Sequence, residues 1–241
     1  MASISVAMAA YNGEKYIRKQ IDSIVQQLKN EDEIVISYDN SDDKTLEIIK
    51  DYAKNDSHVK VVINPNPGLF NNFENAIRNC SNEYIFISDQ DDIWDEHKRE
   101  VVMKIFEDKD VDMVIHNGVH IDENDKVISK DFFTMFHITE NIFTNFAKPR
   151  YSGCCIAFTK KLAEIIVPIP HKVGAYDHWI GMVGQKFGKV VFTDKVLLYH
   201  RLHGDNYTTP TRRLSVILKA RWNLLVELYK RSRKISEWKE K

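Results

Sequence analysis

The chain has few cysteines, prolines and glycines: three, six and nine among 241 residues. Cys154 and Cys155 are adjacent and Cys80 is far from both, so the spacing favours neither a disulfide framework nor a zinc site. No window holds eighteen uninterrupted apolar residues, which argues against a membrane-spanning helix. The first residues lack the basic and apolar regions of a signal peptide. We therefore expect buried thiols and a cytoplasmic location.

Net charge is also small, at −1, so the whole chain has no bias toward nucleic acid or a membrane. The charge is unevenly placed, however, because residues 211–241 carry about +7 and residues 1–210 about −8. The basic segment has an apolar helical stripe. It is expected either to pack on the domain or to lie on an anionic membrane, peripherally and at its inner face. Nucleic-acid binding is disfavoured because no motif that reads RNA or DNA accompanies the charge.

Apolar runs alternate with helical patterns through the first half of the chain. Strands are predicted at residues 4–9, 33–38, 59–63 and 84–88, with helices between them. This order indicates a parallel central sheet covered by helices on both faces, a Rossmann-like α/β fold. The second half is less regular, with predicted strands at 111–116, 154–159 and 190–199 and helices at 141–146, 179–186 and 214–231. We predict one domain over residues 1–210 and a helical extension over 211–241.

An acidic motif, Asp89-Gln90-Asp91-Asp92, directly follows the fourth predicted strand. Residues two apart in an extended segment point the same way, so the carboxylates of Asp89 and Asp91 can converge. Such carboxylates repel one another unless a cation or hydrogen-bond donors offset them. Oxygen ligands of this kind suit Mg²⁺ or Mn²⁺ shared with substrate phosphates. A solvated acidic turn is the alternative interpretation.

Six segments, in this order, resemble the motifs of family 2 glycosyltransferases. They are residues 9–17 (AAYNGEKYI), 39–45 (DNSDDKT), 88–94 (SDQDDIW), 152–158 (SGCCIAF), 176–179 (YDHW) and 200–206 (HRLHGDN). The third to sixth are most similar to the rhamnosyltransferase-like branch. The resemblance implies a GT-A fold, a Mg²⁺ or Mn²⁺ cofactor and inverting transfer from a nucleotide-sugar donor.

The resemblance also implies roles for individual residues. Asp39 is expected to accept a hydrogen bond from a pyrimidine base, Asp91 to bind the metal with His203, and Asp177 to act as general base. The other residues expected to bind the nucleotide-sugar are Ala10, Tyr11, Asn12, Glu14, Asn72 and Asp89. Acceptor contacts are expected from Trp94, Tyr176 and Trp179, because aromatic faces stack on sugar rings. A helix N-cap is the alternative role for Asp177.

The chain departs from the family pattern at four positions. Tyr38 and Asn40 replace an aspartate and a glycine of the second motif, and His200 and Leu202 replace a tyrosine and a glutamine of the last. The branch favours dTDP-rhamnose, although UDP-hexose donors use the same carboxylates. The expected acceptor is a saccharide or lipid-linked saccharide of bacterial surface polysaccharide synthesis. The alternatives are a nucleotide-sugar-binding module without activity, or another metal-dependent enzyme acting on phosphates.

Overall fold

The computed structural model describes residues 2–203 and 213–239. The strands in these residues are β1 (Ile4–Ala10), β2 (Glu33–Tyr38), β3 (Val59–Ile63), β4 (Tyr84–Ser88), β5 (Ile93–Trp94), β6 (Met113–Ile121), β7 (Ile156–Thr159) and β8 (Val190–Arg201). The helices are α1 (Ile17–Val25), α2 (Thr45–Asn55), α3 (Leu69–Asn79), α4 (Lys98–Lys109), α5 (Phe132–Phe136), α6 (Ile142–Ala147), α7 (Lys160–Ile166), α8 (Tyr176–Phe187) and α9 (Leu214–Lys239).

All of these strands form one sheet, in the order β3-β2-β1-β4-β7-β6-β8-β5. The first four strands are parallel, as predicted. In the second half β7 runs antiparallel to both β4 and β6, and β6 and β8 run parallel to each other. Because two reversals restore the original direction, the carboxyl ends of β6 and β8 lie at the same edge as those of β1, β2 and β4. That edge gathers the loops that carry the predicted site.

Two hydrophobic cores cover the two faces of the sheet. Along β1, Ile4, Val6 and Met8 belong to one core, while Ala7 and Ala9 belong to the other. This alternation follows from the two-residue period of a strand. The first core includes the apolar faces of α1, α2 and α4, and the second includes those of α3, α7, α8 and α9. The predicted helices on both faces are therefore present.

The four predicted strands of the first half match the observed ones to within one residue. The prediction missed α4, α5, α7 and the short β5. Helix α4 was hidden because Lys98 and Arg99, two of its inward-facing residues, are charged and nonetheless buried. The predicted strand at 154–159 begins later, because Gly153–Cys155 form a 3-10 turn before β7.

Helix α9 extends to Lys239, beyond the predicted end at residue 231. It packs on the domain through Ala220, Leu224 and Leu228, which are buried. Among the described residues, no helix is both long enough and apolar enough to cross a bilayer. The predicted boundary between residues 210 and 211 lies outside the described part of the chain.

Candidate active site

The carbonyl of Ala10, at the end of β1, joins two of the residues predicted to bind the nucleotide. It accepts hydrogen bonds from the Asp39 backbone N–H at 2.9 Å and from the Asn72 side-chain amide at 3.1 Å. The Asp39 carboxylate accepts a hydrogen bond from the Gly68 N–H at 2.6 Å. Gly68 precedes α3 with φ at 112°, a conformation that favours glycine. The side-chain carbonyl oxygen of Asn72 (Oδ1) is buried with no hydrogen-bond partner in the described structure.

Gln90 of the acidic motif is bonded to the loop that follows β1 (residues 11–16, the first loop). The sequence analysis did not select Gln90. Its amide accepts a hydrogen bond from the Tyr11 N–H at 2.7 Å and donates one to the Tyr11 carbonyl at 2.5 Å. Gly13 leaves room for this amide, since a Cβ there would lie 2.3 Å from the Gln90 Oε1. These two hydrogen bonds, the Gln90 clasp, place the first loop beside the acidic motif.

Asn12 and Glu14 join the first loop to the loop that follows β2 (residues 39–44, the second loop). The Asn12 N–H donates to the Ser41 Oγ at 3.0 Å, and its side-chain carbonyl accepts from the Asp42 N–H at 3.3 Å. The Glu14 carboxylate accepts from the Lys44 N–H at 2.9 Å. Both side chains thus hold the loops together, and contact with a nucleoside stays a prediction for each.

Tyr38 compensates for its departure from the family pattern. Its buried hydroxyl accepts a hydrogen bond from the Ser41 N–H at 2.9 Å, and the Asn40 N–H donates to the Asp39 carboxylate at 3.0 Å. The second loop therefore forms a closed turn around Asp39 without the usual aspartate and glycine.

The acidic motif concentrates negative charge at the end of β4. Burial, with the nearby charges of Asp92 and Asp91, raises the pKa of Asp89 to about 8. Burial and Asp92 also raise the pKa of Asp91, whose Oδ2 lies 2.8 Å from the His203 Nε2. Tyr176 donates its hydroxyl to Asp89 at 3.4 Å. Ionisation of both Asp89 and Asp91 is disfavoured at this site until a cation offsets their charge.

Asp92 is already paired inside the protein. It lies 2.8 Å from His200 and accepts a hydrogen bond from the Arg201 N–H at 3.2 Å. Burial opposes ionisation of both groups, but their attraction lowers the pKa of Asp92 and raises that of His200 to about 10. His200, which stands where the family has a tyrosine, thus has a defined partner in Asp92.

Among the described residues, one set of side chains lies close enough together to hold a metal ion. Potential ligand atoms of Asp89, Asp92, Cys154 and His200 lie within 4.8 Å of one another. In this set Asp92 and His200 neutralise each other. A hydrogen bond with Cys155 and burial raise the pKa of the Cys154 thiol, and a thiol is a soft ligand that does not suit Mg²⁺ or Mn²⁺.

Asp91 and His203, the predicted metal ligands, lie 2.8 Å apart and offer the oxygen and nitrogen donors that Mg²⁺ or Mn²⁺ accepts. Metal binding by Asp91 and His203 stays a prediction.

Arg201, which the sequence analysis also missed, supports the acidic motif from behind. Its buried guanidinium donates to the Asp91 carbonyl at 3.1 Å and pairs with Asp125 at 2.6 Å. It also lies over the Tyr16 ring, 4.8 Å from the centroid, and the His203 ring packs on that ring at 4.9 Å. The last motif therefore contacts Asp91 twice. Arg201 bonds to the backbone carbonyl of Asp91, and His203 contacts its carboxylate.

Asp177 lies in the first turn of α8, which begins next to the acidic motif. The N-cap residue of α8 is Ala175, so Asp177 is not the cap, and its carboxylate accepts a hydrogen bond from the His178 N–H at 2.6 Å. The preceding Tyr176 stacks on Phe73 at 4.3 Å and reaches Asp89. Asp177 thus follows a residue that contacts Asp89, and its role as general base stays a prediction.

A family model supports the assignment that these features suggest. The model described as glycosyl transferase family 2 matches residues 5–166, about two thirds of the chain. The chain belongs to glycosyl transferase family 2.

Relatives and solved structures agree with this assignment. An uncharacterised glycosyltransferase of Nostoc sp., alr2836, is 27% identical over 211 residues, which cover 84% of this chain and 66% of the relative. TarS 1–349 of S. aureus, solved in complex with UDP-GlcNAc, superposes with a TM-score of 0.74 at 19% identity and covers 94% of this chain and 66% of TarS 1–349.

The mannosyltransferase PcManGT of Pyrobaculum calidifontis, in complex with GDP-Man and Mn²⁺, has a TM-score of 0.62 at 20% identity, covering 96% of this chain and 64% of PcManGT. The family 2 chain thus spans about two thirds of the length of these proteins, and its predicted GT-A fold is confirmed.

Two of the predicted acceptor contacts in this family 2 chain need correction. Trp94 is 2% exposed and packs against Phe86, with the Lys98 ammonium 4.2 Å from its ring centroid. Trp179 is fully buried, and its indole N–H donates to the Ile166 carbonyl at 2.8 Å. Neither ring has a face that a sugar could stack on, so both belong to the core.

Of the remaining predicted residues, Tyr176 is half-buried beside Asp89 and stays a predicted acceptor contact. Residues 204–206 of the last motif lie outside the described part of the chain.

Proposed function

We propose that the protein is an inverting glycosyltransferase that moves a sugar from a nucleotide diphosphate to an acceptor hydroxyl. The donor is dTDP-rhamnose or a UDP-hexose, and the acceptor is a saccharide or lipid-linked saccharide of bacterial surface polysaccharide synthesis. One observation carries the proposal: Asp39 and the acidic motif follow the two strands that flank β1 at one sheet edge, where the Gln90 clasp joins the motif to the loop after β1 and Tyr176, the residue before Asp177, donates to Asp89.

The two ends of the donor match the two ends of this edge. Asp39 and the unpaired carbonyl oxygen of Asn72 offer hydrogen-bond acceptors to a base. Asp89, Asp91 and His203 would hold Mg²⁺ or Mn²⁺, which when bound offsets the negative charge that develops on the leaving diphosphate. The Gln90 clasp joins the acidic motif to the loop that follows β1.

Asp177 supplies the base. Its carboxylate takes the proton of the acceptor hydroxyl while the hydroxyl oxygen bonds to the anomeric carbon, and the bond from that carbon to the diphosphate breaks on the opposite face. The N-terminus of α8 stabilises the ionised carboxylate before transfer. Attack opposite the leaving group inverts the anomeric configuration.

Substitution of Asp177 tests the assignment. Asp177→Asn should lower turnover by about 10²–10⁴-fold and leave donor affinity nearly intact. Asp91→Ala should lower both activity and donor affinity. Glu164→Gln, an exposed carboxylate on α7, is the matched control and should behave like the wild type. Normal turnover by Asp177→Asn would reject the general-base assignment.

The donor can be found by a thermal-shift screen. Nucleotides and nucleotide-sugars are added with and without Mn²⁺, because a ligand that binds the folded state raises the melting temperature. Acceptor-dependent release of free nucleotide diphosphate then separates transfer from a binding module and from a phosphate hydrolase. Stabilisation by no nucleotide would contradict the proposal.

A further inference from the structure

The outer side of α9 carries a continuous apolar surface. Its residues follow one another at intervals of four, four, three and four, which places them on one face of the helix. We define this outer stripe as Leu214, Leu218, Trp222, Leu225 and Tyr229, with side chains 48–71% exposed. The inward stripe of α9 (Ala220, Leu224 and Leu228) already anchors the helix to the domain. The outer stripe is therefore surplus to the packing of α9 on its own chain.

Basic residues surround the outer stripe. Between Arg213 and Ile235 the sequence has seven Lys or Arg and one acidic residue, Glu227. Two of the basic residues face the domain, where Arg221 donates to the Ala147 carbonyl at 3.2 Å and Arg231 to the Pro168 carbonyl at 2.6 Å.

Lys219, Lys230 and Arg233 are exposed beside the outer stripe, and of these Lys230 pairs with Glu227 at 2.6 Å. The border of the stripe is thus positive, so two copies of α9 placed face to face would bring like charges together. An anionic surface is complementary to it.

The inward side of α9 also contacts α8, the helix that carries the predicted base. Arg221 contacts the His178 Nδ1 at 3.5 Å, and His178 directly follows Asp177. The opposite ring nitrogen of His178 donates to the Asn145 carbonyl of α6 at 2.9 Å. On α6, Phe143 is 81% exposed and adds apolar surface near α9. Helix α9 is therefore a direct packing neighbour of the helix that carries Asp177.

We propose that α9 docks the protein on the surface of an anionic lipid bilayer, with the outer stripe in the headgroup layer and its basic border on the lipid phosphates. Trp222 and Tyr229 suit this position, because their rings are apolar with one polar group. The inference rests on the proposed function in one respect: the bilayer presents a lipid-linked acceptor to Asp177. Docking itself requires no catalysis.

Vesicle co-sedimentation of the full chain, without donor or acceptor, tests the docking. The wild type should bind vesicles that contain phosphatidylglycerol, bind pure phosphatidylcholine vesicles weakly, and be released by salt. Lys219→Gln, Lys230→Gln and Arg233→Gln combined should weaken binding on the order of a hundredfold. Leu218→Ser, Trp222→Ser and Leu225→Ser combined should abolish it. Val216→Ser, an exposed residue away from the outer stripe, is the control and should bind like the wild type.

Three results would overturn the docking. The first is that the wild type does not bind the vesicles. The second is that the variant with Leu218, Trp222 and Leu225 replaced by serine binds them as well as the wild type does. The third is that the wild type is a dimer that does not bind vesicles, and that this serine variant is a monomer. Unchanged melting temperatures of the variants would show that they fold. Because vesicle binding is measured without substrates, failure of docking is distinguishable from failure of sugar transfer.

Discussion

Replacement of Arg201 by methionine tests whether the buried guanidinium positions the metal-binding aspartate. Methionine keeps much of the aliphatic volume but removes every hydrogen bond. The lost contacts include those to the carbonyls of Asp91 at 3.1 Å and Asp122 at 2.9 Å, and the ion pair with Asp125 at 2.6 Å. The Arg201 side chain is fully buried, so no water replaces these contacts at its position.

The expected loss in the free energy of unfolding depends on whether the former partners of Arg201 can be solvated in the variant. Asp125 is 37% exposed and regains water, so it does not become a buried unpaired charge. The loss of hydrogen bonds to a charged group should then cost about 2–3 kcal/mol in the free energy of unfolding. For a chain of this size this corresponds to a melting temperature lower by about 4–12 °C. Loss of support behind a metal ligand typically weakens metal affinity by about 10–100-fold.

Two measurements and one matched variant separate stability from positioning. Thermal unfolding reports the stability, and titration with Mn²⁺ followed by electron paramagnetic resonance reports the metal affinity. Asp125→Asn removes the ion pair but leaves the bond from Arg201 to the Asp91 carbonyl. This variant leaves the buried guanidinium with an amide oxygen in place of its counter-ion, so it should lose about 1–3 kcal/mol, and it should bind Mn²⁺ like the wild type.

The positioning role would be refuted if Arg201→Met lost stability as expected but bound Mn²⁺ with wild-type affinity. Equal weakening of Mn²⁺ binding by Asp125→Asn would also refute it, because the effect would then come from the surrounding charge. Partial recovery in Arg201→Lys, which keeps the charge, would support the role.

Three further predictions concern stability and the donor loop. Arg99→Met should cost about 3–5 kcal/mol in thermal or urea unfolding, because it leaves Asp32 buried without the ion pair at 2.6 Å; a loss below about 1 kcal/mol would contradict this. Glu33 is buried, which opposes its ionisation, yet hydrogen bonds from Lys60, Ser5 and Ser81 lower its pKa from 4.5 to about 2. The Glu33 carboxylate should therefore contribute up to about 3 kcal/mol to the free energy of unfolding above pH 4.5, and this contribution should be lost as the pH falls toward 2. When urea unfolding is repeated across this pH range, Glu33→Gln should flatten the dependence of the free energy of unfolding on pH. An unchanged pH dependence would reject the assignment. Gly13→Ala should displace the Gln90 amide, because the new Cβ would lie 2.3 Å from it, and should weaken donor affinity about tenfold in a thermal-shift titration; unchanged affinity would show that the clasp is dispensable.

Helix α4 and the two tryptophans show where sequence reasoning failed. The inward-facing Lys98 and Arg99 obscured the apolar period of α4, because their partners, the Cys154 carbonyl and Asp32, are distant in sequence. Trp94 and Trp179 flank acidic residues in the chain but point into the cores. Whether an aromatic ring faces solvent depends on the elements packed over it, and no local pattern encodes that.

The sequence by itself determined the first half of the fold. The strands of β1 to β4 are short apolar runs bounded by polar turns, and their hydrophobic period is a local property that can be read residue by residue. Their parallel order also placed Asp39 and Asp89 at one edge before any coordinates were known.

Only the tertiary structure decided how that edge is held together. The Gln90 clasp, the Asp92–His200 pair and the support of Asp91 by Arg201 join residues 79–110 positions apart. The reversal of β7 brings the second half of the chain back to the same edge. Such contacts form because buried charges and amides need partners, and only the folded chain determines which partners are within reach.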